Sequence, residues 1–95
     1  MSADVYLVIF SPALEAVVVR RWIGGSRVRD AAEARLGPPD RADETEASMT
    51  WRVRPREAVT IAKAHYADGA TPRDVRGWAT EFPEDAFWWS VVVGY

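Results

Sequence analysis

Hydrophobic positions along this chain follow two periods, and the shorter one marks both ends. Val5-Tyr6-Leu7-Val8-Ile9-Phe10 is apolar on both alternating faces, which predicts a central strand covered on both sides or paired deep in a sheet. The run Phe87-Trp88-Trp89-Ser90-Val91-Val92-Val93-Gly94-Tyr95 is of the same kind. Its β-branched and aromatic residues suit a pleated surface, and a terminus this apolar is ordered by pairing into a sheet. Alternation puts Phe87, Trp89, Val91, Val93 and Tyr95 on one face and Trp88, Ser90, Val92 and Gly94 on the other, wetter one. Between these runs, Met49, Trp51 and Val53 alternate with Thr50, Arg52 and Arg54, a strand with one wet face whose arginines place it toward an edge.

Helical spacing governs the middle of the chain. Gly24-Gly25 is a break, Ser26 is the expected cap of a short helix through Leu36, and Gly37 with Pro38-Pro39 closes it. Pro55 opens a second helix whose apolar arc holds Ala58, Val59, Ile61, Ala62, His65 and Tyr66, ending at Asp68-Gly69. Thr71-Pro72 starts a third, with Val75, Trp78, Ala79 and Phe82 at i, i+3, i+4 and i+7, stopped by Pro83. Residues 13–23 carry both signals: Ser11-Pro12 and Glu15 spell a helix start, whereas Val17-Val18-Val19 spell a strand. The strand is preferred, with Ser11 to Glu15 turning the chain and Ala16 to Trp22 pairing back on the first run. Pro38 to Ser48 has no apolar periodicity and is expected to be an exposed loop. The order β-β-α-β-α-α-β is that of a single α+β domain over 1–95. It predicts a mixed or antiparallel sheet of three to four strands, the two most apolar at its centre, with three helices on one face.

Composition narrows the chemistry. A chain of 95 residues buries only about 60 to 65% of its unfolded surface, so its core must be dense in large side chains, and 48% hydrophobic with 12% aromatic residues supplies that. With no cysteine and one histidine, disulfides and Cys/His zinc sites are excluded. Asp40, Asp43, Glu44 and Glu46 crowd one loop without the spacing of a calcium-binding hand, so neither metal nor cofactor is expected. Met1 is followed by Ser2-Ala3-Asp4 rather than a basic and then apolar leader, and no stretch of about 20 apolar residues follows. The expectation is a soluble, cytoplasmic protein with no membrane partner. A net charge of −2 opposes bulk attraction to nucleic acid.

His65 lies in the apolar arc of its helix with no nucleophile or carboxylate singled out beside it, and no serine has a nucleophile-elbow context. No catalytic residue is therefore assigned, and the protein is expected not to be an enzyme. The segment 56–82, two helices around Gly69 with Val75 and Trp78 pointing inward, resembles the helix-turn-helix of DNA-binding proteins. That resemblance implies a nucleic-acid-binding regulator in which Arg73, Arg76 and Thr80 face the duplex. His65 stands where such units carry a small residue, Asp68 where they carry an apolar one, and the acidic balance of the chain makes nucleic acid the lesser partner.

The tryptophans carry the main functional signal. Trp22, Trp51, Trp78, Trp88 and Trp89 each fill roughly 150 to 250 Å², more than so small a core readily encloses. Tryptophan and arginine also dominate protein interfaces. Trp88, sharing the wetter strand face with Ser90, and Trp22, beside Arg20 and Arg21, are the two expected at the surface. With Arg52 and Arg54 they make the predicted partner-binding set. The expected partner is another protein, with a second copy of the chain as one form of it, and the expected role is an inhibitor, immunity or counter-defence protein, or accessory subunit.

Overall fold

The computed structural model describes residues 3–43, 47–64 and 72–94. They form β1 (Asp4–Ser11), β2 (Ala16–Gly24), α1 (Ser26–Leu36), β3 (Arg41–Asp43), β4 (Ser48–Arg52), α2 (Pro55–Ala62), α3 (Pro72–Glu81) and β5 (Trp88–Gly94). The class is α+β, as the pattern predicts. The sheet has five strands rather than three or four, in the order β2-β1-β5-β4-β3, and every pairing is antiparallel.

The two most apolar runs sit where expected. β5 is the middle strand, with β1 on one side and β4 on the other. The ambiguous 13–23 region is strand β2, paired with β1 through a turn in which the Ser11 hydroxyl accepts from Leu14 N–H at 3.2 Å. Glu15 takes the left-handed backbone, φ 51°, that lets the turn close.

The extra strand is β3, inside the segment expected to be a loop. Arg41-Ala42-Asp43 pairs with Thr50-Met49-Ser48, making β3 the edge and moving β4 one place inward. β3 is too short to reach Arg52, whose N–H donates instead to the Asp40 carboxylate at 2.7 Å. At α1 the cap is Gly25 rather than Ser26: the Gly25 carbonyl accepts from both Val28 and Arg29 N–H, at 3.0 and 3.1 Å, so Ser26 is already helical. Gly37 ends α1 at φ 74°, its N–H donating to the Glu33 carbonyl, a conformation that favours glycine. α2 ends at Ala62, and the expected continuation through His65, Tyr66 and Gly69 lies outside the described residues.

The core lies between one sheet face and the three helices. Val5, Leu7 and Ile9 of β1, Trp89, Val91 and Val93 of β5, Trp51 of β4 and Ile23 of β2 are buried there against Val28, Ala32, Ala58, Ile61 and Val75. Two of its tryptophans tie the core to the chain ends of α1 and α3. Trp51 Nε1–H donates to the Gly37 carbonyl and Trp89 Nε1–H to that of Phe82, both at 2.9 Å.

Candidate functional site

Because strand residues alternate faces, the registers that bury Val5, Leu7 and Ile9 send Tyr6, Val8 and Phe10 to the opposite side of the sheet. Among the described residues no helix packs on that side, since all three lie against the other. The pairings lay the open face out in rows. Val17, Phe10 and Trp88 form one; Arg20, Val8, Ser90 and Arg52 the next; Trp22, Tyr6, Val92, Thr50 and Arg41 the third.

Three of the four predicted partner-binding residues, Trp22, Trp88 and Arg52, therefore share one surface. Trp88 is 48% exposed, while its neighbour Trp89 on the other face is 1% exposed. Its ring stacks on Phe10 at 5.5 Å between centroids, and the Arg52 guanidinium lies 5.2 Å from it. Trp22, half-buried, donates its indole N–H to Asp4 Oδ1 at 3.0 Å, at the far end of the face from Trp88. Arg54 is separate. Pro55 ends the strand alternation before it, so Arg54 becomes the N-cap of α2 and lines a depression with Arg35, Arg56 and Glu57 on the helical side. Its N–H donates to Glu57 Oε1 at 3.4 Å.

Residues outside that set complete the face. Tyr6, Val8, Phe10 and Val92 make its centre half-buried and apolar, and Val17, 52% exposed, extends it toward the β1–β2 turn, where Leu14 is 71% exposed. Arg20 lies 4.2 Å above the Tyr6 ring, as Arg52 does beside Trp88, so two guanidinium groups rest on aromatic rings at this surface. Neither arginine forms an ion pair among the described residues. Their N–H edges remain available to a carboxylate.

For the helix-turn-helix set, Arg73, Arg76 and Thr80 are exposed on α3 while Val75 is buried. Arg76 borders a groove between α2 and α3 with Arg56 and Val59. The turn on which the resemblance rests, with His65, Asp68 and Gly69, lies outside the described residues. No group of three or more His, Cys, Asp or Glu side chains is placed to hold a metal ion among the described residues. No helix there is long and apolar enough to cross a membrane. Comparison with protein families, curated proteins and solved structures finds no match to the chain.

Proposed function

We propose that this protein works by binding another protein through the open face of its sheet, as an inhibitor, immunity or accessory protein does, with no catalytic step and no cofactor of its own. One observation carries the reading. A sheet covered on one side normally alternates apolar inward and polar outward, yet β1 and β5 present Tyr6, Val8, Phe10, Trp88 and Val92 on their uncovered side. Contiguous apolar surface of this kind marks an interaction site. Its rings are already occupied, Tyr6 by Arg20 and Trp88 by Phe10 and Arg52, which favours a protein partner over nucleic-acid bases that would need free ring faces. Arg20 and Arg52 select for carboxylates around an apolar centre.

Spacings of about 3.3 Å along a strand and 4.8 Å between strands give the face a flat footprint of roughly 400 Å². That is about half of one side of a standard interface, so the expected complex is of the small, reversible kind. The helix-turn-helix alternative lacks an observation of equal weight.

The test is a photo-crosslinking amino acid in place of Ser90, at the middle of the face, against the same group in place of Gly77 on α3. Crosslinking in the native host should tag one partner from position 90 and not from 77, and Trp88→Ala or Arg52→Ala should release it while keeping a cooperative melt. Capture from position 77 alone, or retention of the partner by both alanine variants, overturns the proposal.

A further inference from the structure

The open face is not the whole of the unpartnered sheet. β2 pairs only with β1, and among the described residues no strand takes its outer edge. Such an edge presents unpaired N–H and C=O groups, which proteins blunt with charges and bulges. β2 has both, but the bulges leave a gap between them. The register shifts fall between Val5 and Tyr6 and between Ile9 and Phe10, so Val19, Arg20, Arg21 and Trp22 run unbroken opposite Ile9, Val8, Leu7 and Tyr6. Beside this regular stretch lies a groove of about 430 Å³ between β2 and α3, with Val19, Trp78 and Phe82 among its walls. Trp78 and Phe82 are only half-buried, and the Arg21 guanidinium lies 5.6 Å from the Trp78 ring.

We propose that this edge is a strand-addition site that takes an extended, acidic segment of a partner protein. Edge amides and carbonyls of β2 supply the backbone bonds, and the groove receives an apolar side chain from the incoming strand, the division of labour of known strand-addition sites. Charge decides the occupant. Arg20 points to the open face and Arg21 to the helical face, so two adjacent carboxylates on an added strand meet both. Two copies of β2 paired edge to edge in the register centred on Arg20 or Arg21 would set arginine against arginine, and like charges opposite one another destabilise a sheet. Glu81 on the α3 wall limits the acidity to a short stretch. The proposal does not depend on the open face docking a partner, since of the edge stretch only Arg20 and Trp22 belong to both surfaces and the groove and Arg21 lie on the other side.

The probe is a fluorescein-labelled, end-capped peptide, Val-Thr-Val-Glu-Glu-Val-Thr-Val, titrated by anisotropy into the whole chain. Saturable binding is expected, at least about tenfold weaker when the two glutamates become lysines. A comparable loss should follow methylation of the two central amide nitrogens, which point to opposite edges and so block strand pairing either way. Arg21→Glu should reverse the preference between acidic and basic peptides, and Trp88→Ala, on the open face, should leave it alone. Amide exchange should slow, when the acidic peptide binds, at those of residues 20–22 whose N–H points away from β1. Absence of saturation up to about 1 mM, equal binding of the methylated peptide, or unchanged preference in Arg21→Glu overturns the proposal. So does a concentration-dependent dimer in sedimentation that Arg21→Glu strengthens, because the edge would then belong to a second copy.

Discussion

Trp88 and Trp89 are adjacent in sequence and opposite in environment, so replacing each with alanine measures the two faces of one strand. Trp89 is 1% exposed and its indole N–H serves the Phe82 carbonyl. Trp89→Ala should cost about 3 to 5 kcal/mol for the side chain. A further kcal/mol or so comes from the carbonyl left unpaired. A chain of this size has about 5 to 14 kcal/mol of stability in all, so this variant is expected to be unfolded or close to it. Trp88, 48% exposed, loses only about half of the 150 to 250 Å² a tryptophan can bury, and the remaining alanine retains part of that. At about 25 cal/mol per Å², the net loss is about 1 to 2 kcal/mol, including the contact with Phe10. Urea titration followed by far-ultraviolet circular dichroism separates the two. With a slope of about 1 to 2 kcal/mol per molar, Trp88→Ala should lower the midpoint by about 1 M and keep a cooperative transition, while Trp89→Ala should lack a folded baseline. Equal shifts for the two variants would refute the assignment of Trp88 to an uncovered face.

Removing residues 91–95 takes Val91 and Val93 from the middle strand and should abolish the cooperative thermal transition, since each buried side chain contributes roughly 1.5 to 3 kcal/mol; a near-native melt would contradict the placing of β5. Trp51→Phe removes the indole N–H that serves the Gly37 carbonyl and leaves part of a buried ring's volume empty, and should destabilise by about 1 to 3 kcal/mol in denaturant titration, whereas Leu14→Ala at the exposed turn should change stability by less than about 0.5. Gly77→Ala, where a Cβ meets nothing within 4 Å on exposed α3, should raise the melting temperature through about 0.5 to 1 kcal/mol of helix propensity; Gly37→Ala, at φ +74°, should lower it through a loss of about 1 kcal/mol of stability. Arg73→Glu with Arg76→Glu should leave duplex binding unchanged, as the wild type is expected to show none in a mobility-shift assay; tight, salt-sensitive binding to one duplex would restore the regulator reading.

What the sequence revealed depended on whether a side chain or only a backbone made the element. β1 and β5 were legible because they are uninterrupted apolar runs, and β2 because three consecutive valines outweighed a helix start. β3 left no trace. None of Arg41, Ala42 and Asp43 is buried, and the strand exists through backbone pairing with β4, for which composition carries no signal. At the face, Trp88, Trp22 and Arg52 could be found because they fall out of phase with the core. Tyr6, Val8 and Phe10 could not, since a strand apolar on both sides looks the same whether its second side is covered or open. Deciding between those requires knowing that the three helices pack together on one face. Arg54 was misplaced for a local reason: Pro55 ends the strand, so the alternation carried past Val53 has no strand to describe.

The position of β5 also has a kinetic consequence. It follows the other four described strands in chain order, yet it lies between β1 and β4, so neither the β1–β2 hairpin nor the β3–β4 hairpin can join the other until it arrives. During synthesis both hairpins must wait, each with a sheet edge and half a core exposed. The β1–β5 register closes a loop spanning nearly the whole chain, from Asp4–Gly94 to Phe10–Trp88. Such distant pairing has to be reached before it is rewarded, which makes folding slow for a domain of this size and leaves the unjoined hairpins open to association in the meantime.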